Sequence, residues 1–349
     1  MIKIDVYDNP ESAREVFKAY YNMICGCVSF SNDDIADAIS IQFRKEYQEE
    51  LGLDKKTNVK VKDCSNLLKS RYRKLYDFLY LDEELQKENL GVLLCGYMDD
   101  GQLIELRENY DFFDDKCKEL EDIFRYESMS NKQEFIYKFV ESMNVQVCPY
   151  CNRNYISVVV DKSAGFKTRS ELDHFFNKSK YPYLAVSMRN LVPSCHVCNL
   201  SKHAEDKNIL YPYKEGLGNN YIFAIDTSHD ISYFTNPFST EFNIVLKKNK
   251  FAKDNTDNEF DTKVMNSSRL FGWNSLYEFS KKYAARVFQN GYILNISYKE
   301  SLCNAFPGFF RGIEDVERVI NPKLRPEDEY NQEPLSKLTR DIYESTKSI

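Results

Sequence analysis

Two Cys-x-x-Cys pairs, Cys148-Pro-Tyr-Cys151 and Cys195-His-Val-Cys198, stand 43 residues apart in the chain. Each pair lets two thiolates grip one ion, and two pairs complete a tetrahedral set of four sulfurs, the donor set of a structural zinc. The separation exceeds that of a simple zinc ribbon, so a folded insert must lie between the pairs. Sulfur fills all four positions, which leaves none for a substrate; any catalysis has to come from other residues. The insert contains "SELDHFFNKS", where Asp173 and His174 are adjacent. Asn199 and His203 follow the last cysteine and are four apart, so on a helix they share a face. A carboxylate, an imidazole and an amide within reach of one another can hold a cation and move a proton. Taken singly, His174 also reads as a hydrogen-bonded histidine at a turn, and Asn199 as a helix cap. The other six cysteines (Cys25, Cys27, Cys64, Cys95, Cys117 and Cys303) have no such spacing and read as buried thiols.

The elements that must position these residues are short. "YISVVV" (155–160) has the β-branched content of a strand, "DKSAG" a turn, and a second strand runs into "ELDHF". "NLVPSC" reads as a return strand and "HVCNLSKHAED" as a helix of two to three turns. Neighbouring residues on a strand face opposite ways, so Asp173 and His174 can serve one site only where the strand ends. Cys198 lies about 100° around a helix from Asn199, which lets the zinc fix the helix that presents the polar pair.

Residues 1–143 read as helical, with stripes at Ala13, Val16, Phe17, Tyr20, Tyr21 and Ile24, at Ile35, Ile39, Phe43 and Tyr47, and at Leu68, Tyr72, Leu75 and Leu79. Further helices are expected over 102–124 and 131–143. Lys55–Lys74 carries eight basic residues and the single acid Asp63; it reads either as a solvated helix face or as a phosphate-contacting one. The segment 215–349 mixes aromatic-rich strands ("YIFAI", "FNIVLK"), a helix near 274–289, an exposed loop at "KDNTDNEFDTK", and a last helix carrying Leu335, Leu338 and Ile342. The expected class is α+β in three parts: helices over 1–143, a zinc-bound core over 144–214, and a mixed region over 215–349.

The bulk numbers fit this outline. With 42% hydrophobic and 29% charged residues the chain has ample material for a core. No apolar run approaches the roughly 18 residues that span a bilayer. The N-terminal sequence lacks an apolar signal region, and ten cysteines without dense pairing fit a reducing cytoplasm. The net charge of −7 is unevenly spread: residues 148–214 hold ten Lys/Arg against five Asp/Glu, while the rest holds 37 against 49. The cysteine-bounded segment is a basic island in an acidic chain, the sign that suits a nucleic-acid contact.

"ELDHFFNKSKYPYLAVSMRNLVPSCHVCNLSKH" resembles the HNH endonucleases, which are built on a ββα-metal fold. Their pattern runs from an Asp-His pair, through Asn-Leu, to C-x-x-C-N-x-x-K at a helix start. Asp173-His174, Asn190-Leu191 and Cys195–Lys202 match it in order and spacing, over about 60 of the 349 residues. The resemblance implies His174 as the general base for the attacking water, and Asp173 and Asn199 as ligands of a catalytic Mg2+ or Mn2+. It further implies Asn190 as a brace for the histidine loop, His203 at a position where some members carry a further ligand, and one structural zinc on Cys148, Cys151, Cys195 and Cys198. Asn177 stands where many members have proline. "CPYCNRNYI" and "PLSKLTRDIYE" extend the likeness to the HNH effectors of bacterial anti-phage systems of the Septu type, some of them carried with retrons. There the nuclease pairs with an ABC/OLD-like ATPase. No phosphate-binding loop of the G-x-x-x-x-G-K-[ST] form occurs in this chain, so an ATPase would have to be a separate subunit. The expected partners are thus nucleic acid, DNA foremost, and that ATPase, with no membrane. The competing expectation is a zinc-stabilised nucleic-acid- or protein-binding adaptor that does not cut.

Overall fold

The computed structural model describes residues 1–4, 126–127, 133–181, 184–203, 208–226, 241–252 and 257–347, with Gln48 and Gly52. The expected helices between residues 10 and 124 and the basic stretch Lys55–Lys74 lie outside the described residues. The remainder is a mixed α and β arrangement in which three two-stranded antiparallel sheets are set among helices. No helix among the described residues is long and apolar enough to cross a membrane.

Helix α1 (Gln133–Ser142) leads into the first cysteine pair, burying Ile136, Phe139 and Val140. A hairpin, β1 (Val159–Asp161) and β2 (Phe166–Thr168), projects into solvent; Asp161 closes its turn by accepting from the backbone N–H groups of Ser163 and Ala164. The strand expected from residue 155 is shorter than its composition suggests, because Tyr155 makes only an isolated bridge to Val147. Strands β3 (Glu171–His174) and β4 (Leu191–Ser194) pair with His174 opposite Leu191 and Asp173 opposite Val192. Pro193 is accommodated because a two-stranded sheet gives each strand a free edge. Helix α2 (His196–Lys202) follows at once and packs on β3.

Beyond the second cysteine pair, β5 (Tyr221–Asp226) and β6 (Asn243–Lys248) form a hairpin. Helix α3 (Asn258–Leu270) occupies much of the stretch whose polarity reads as a loop. Its start is set by Asp257, which accepts from the Phe260 N–H, with Glu259 and Asp261 in the first turn facing the positive helix end. The helix expected over 274–289 is two, α4 (Trp273–Glu278) and α5 (Lys281–Ile293). Gly272, with φ of 59°, supplies the left-handed turn between α3 and α4. Helices α6 (Ile296–Ala305), α7 (Ile313–Ile320) and α8 (Ser336–Thr346) complete the chain, and α8 packs on α5 and β5.

One buried core runs through all of these parts, from Met1 and Ile4 through Tyr150 and Leu191 to Trp273, Tyr277, Leu338 and Ile342. The N-terminal residues thread beside the first cysteine pair, where Ile2 N–H donates to Pro149 O and Ile4 N–H to Pro212 O. Gly216 allows this approach: a Cβ there would stand 2.8 Å from the Lys3 nitrogen.

Candidate metal centre and active-site cleft

Cys148, Cys151, Cys195 and Cys198 are all buried, and their sulfurs lie within 4.8 Å of one another. Sulfurs at about 2.3 Å from a tetrahedral zinc stand roughly 3.8 Å apart; the Cys151 and Cys195 sulfurs are at 4.0 Å. This donor set fits a metal ion such as zinc. The loop is shaped for it. Asn152 takes a left-handed backbone, its N–H donates to Cys148 O, and the Asn154 amide donates to the Cys195 sulfur at 3.3 Å. The Cys195 thiol is held well below its ordinary range by hydrogen bonds from Cys148 and the other two cysteines, with Asn154 adding to them. A thiolate is the form that binds metal.

The C-terminal region grips this knuckle directly. Trp273 Nε1 donates to Tyr150 O, Tyr277 Oη to Cys151 O, and Leu335 N–H to Asn152 O. The Asn152 side chain accepts from the Lys337 N–H and donates to Tyr330 O. The first cysteine pair is therefore the seat of α4 and α8 as well as half of the four-sulfur cluster.

Above the metal centre, β3 and α2 border an open cleft of about 360 Å³ lined in part by Glu171, Asp173, His174, His196, Asn199 and His203. His174 closes β3, so its ring turns to the cleft. Its Nε2 lies 2.9 Å from Ala185 O. A carbonyl only accepts, so Nε2 carries the proton and Nδ1 keeps its lone pair. Burial lowers the imidazole pKa to about 4, against the raising effect of that carbonyl. The Tyr126 ring, edge-on at 4.4 Å between centroids, contributes to the burial. His174 is thus a neutral imidazole with one fixed tautomer, the form a general base needs.

Asn190 lies beneath the cleft rather than in it. Fully buried, its side chain accepts from Phe176 N–H and donates to Phe176 O and Leu184 O. It clips the end of β3 to the segment that carries Ala185, and so fixes the carbonyl that sets the His174 tautomer. At Asn177 the turn is held by hydrogen bonds: its side chain accepts from Ser179 N–H and its carbonyl from Tyr181 N–H. Asn190→Ala would remove three hydrogen bonds from buried backbone groups of Phe176 and Leu184, each worth about 1 kcal/mol. Urea titration of the zinc-loaded protein should show a loss on the order of 3 kcal/mol. An unchanged midpoint would remove Asn190 from this role.

Asp173 and Lys202 are placed in a way that motif spacing does not reveal. The Asp173 carboxylate is buried, accepting from Tyr150 Oη at 2.6 Å, with Lys202 Nζ 3.3 Å from its oxygens. Burial raises its pKa; Lys202 and Tyr150 oppose the rise. Lys202 also donates to His174 O at 2.7 Å and sits over the Phe175 ring, so it is an interior strut, not a solvent-facing phosphate contact. Asn199 donates from Nδ2 to Glu171 Oε2 at 2.7 Å, and His196 Nδ1 is 2.7 Å from Glu171 Oε1. His203 caps α2 with a φ of 46° and stands exposed on the cleft's rim. Of the residues singled out from sequence, His174, Asp173, Asn199 and His203 share the cleft. Glu171 and His196 join them unforeseen, and Tyr150 stands behind Asp173. Glu171 was open to detection, since it stands two before Asp173 and so on the same strand face.

No protein-family model matches the chain, and comparison with curated proteins and with solved structures finds no match.

Proposed function

We propose that the chain is a metal-dependent endonuclease of the HNH class, hydrolysing phosphodiester bonds of nucleic acid, DNA foremost. The observation that supports this most is the seating of His174: Nε2 tied to Ala185 O, Nδ1 left as a base, on a cleft shared with Asn199. In this reading His174 takes the proton from the water that attacks phosphorus. Asn190 and Lys202 hold the strand end that carries the ring. Asn199 and the carboxylates of β3, with His203 at the rim, form the cation side of the cleft; the carboxylate and amide oxygens suit Mg2+ or Mn2+. Such an ion, when bound, offsets charge on the phosphate and on the departing 3′-oxygen. The zinc is structural.

The acidic flanks suit a protein whose nuclease is held by a partner rather than by its own grip on nucleic acid. The Septu-type resemblance makes that partner an ABC/OLD-like ATPase docked on residues 1–143, in a cytoplasmic defence system. Supercoiled plasmid, single-stranded DNA and RNA, each with Mg2+ or Mn2+ and with or without the adjacent gene's product, test the reading. Cleavage that chelation stops is expected, on plasmid first. No cleavage of any substrate in either setting would overturn it.

One observation favours the adaptor reading instead: both Asp173 oxygens are engaged by Tyr150 and Lys202. An adaptor would retain nucleic acid uncut in a gel-shift assay, and His174→Ala would leave that retention unchanged.

A further inference from the structure

Strand alternation puts Glu171 and Asp173 on one face of β3, yet their surroundings differ. Asp173 is 4% exposed and tied to Tyr150 and Lys202. Drawing it out to a cation would leave the ammonium of Lys202 without its counter-charge in the interior. Glu171 has a side chain 41% exposed, at the cleft. Its two oxygens already meet two other donor-bearing side chains, His196 Nδ1 and Asn199 Nδ2, each at 2.7 Å. Helix α2 begins directly after β4, the partner of β3, which is why its first turn lands on the start of β3. A turn of the Asn199 amide about its last torsion presents Oδ1 where Nδ2 now stands.

We propose that Glu171, with Asn199 Oδ1 and the His196 imidazole, is a binding site for one divalent cation, and that Glu171 rather than Asp173 is its principal carboxylate ligand. The carboxylate and amide oxygens alone would suit Mg2+; the imidazole nitrogen tips the set toward Mn2+. Asp173 then acts from behind, holding Lys202 and through it the carbonyl of His174. The cation's catalytic use rests on the nuclease reading above, but its place of binding does not.

The test is Mn2+ binding by the full-length, zinc-loaded protein, followed through the paramagnetic resonance signal of free Mn2+. Wild type is expected to take up one Mn2+ per chain, displaced by Mg2+ only in excess. Glu171→Gln is expected to weaken binding at least about tenfold, as losses around metal sites do. His196→Ala, at a solvent-exposed position, should weaken it too. Asp173→Asn, checked for zinc content and thermal melting, should bind within a factor of about three of wild type. No Mn2+ uptake by wild type would overturn the proposal. So would full binding by Glu171→Gln, or loss confined to a folded Asp173→Asn. Mn2+ bound in this pattern by a protein that cuts nothing would sink the nuclease reading and leave the site standing.

Discussion

Replacing Cys148 and Cys195 together by serine is expected to abolish zinc binding and to unfold the region that the knuckle organises. Structural zinc contributes about 10–16 kcal/mol in small metal-folded domains, while the whole stability of a folded domain is about 5–15 kcal/mol. The metal term is therefore as large as the margin it supports. Without it, four thiols packed within 4.8 Å lose the ion that makes their proximity favourable. The damage would not stop at the cleft. Trp273, Tyr277, Leu335 and Lys337 all donate hydrogen bonds to residues 150–152, so a loosened knuckle releases α4 and α8 as well. Metal analysis should find about one zinc per wild-type chain, in keeping with a four-sulfur site, and a sharp fall in the double variant. Circular dichroism should show melting at much lower temperature or none. Undiminished zinc in the variant would remove these cysteines as its ligands. An unaltered melt would mean that the C-terminal packing stands without them.

The four-cysteine cluster was legible because it depends on spacing: each Cys-x-x-Cys pair brings two thiols together wherever the chain goes. The placement of His174 and Asn199 on one cleft was legible for a similar local reason, since one ends a short strand and the other follows the second pair on a helix. The state of Asp173 was not. Alternation says which face it takes, but Tyr150 comes from the opposite knuckle and Lys202 from the far end of α2, and only the folded pairing of β3 with β4 brings them to it. Local sequence was also misleading in the C-terminal region. Polar residues around Asp257 suggest a loop until Asp257 is read as a cap; α3 then buries Val264 and Ser267 and packs Phe260 and Leu270 partly against the core. The grip of α8 on Asn152 depends on two non-glycine residues in left-handed backbone, Asn152 and Leu335, which no hydrophobic period can announce.

His174→Ala is expected to reduce cleavage by about 10²–10⁴-fold, the usual loss when a general base is removed. The size follows from what the ring alone supplies. Its Nε2 proton is committed to Ala185 O, which leaves Nδ1 with the ring's lone pair. His196 is engaged with Glu171 and His203 stands at the rim, so neither is poised to replace it. The structural penalty should be small by comparison. The substitution removes one side-chain hydrogen bond, worth about 1 kcal/mol, and one ring contact with Tyr126. Neither joins the knuckle to the C-terminal helices. The variant should therefore keep its zinc and melt within a few degrees of wild type while losing nearly all activity. Raising Mg2+ or Mn2+ should not restore the rate, because in this reading the ring moves a proton and holds no ion; Glu171→Gln and Asn199→Ala should instead shift the metal titration. Single-turnover rates at saturating metal, with zinc content and melting measured on the same samples, separate these outcomes. A His174→Ala protein that cuts as fast as wild type would show that another group takes the proton.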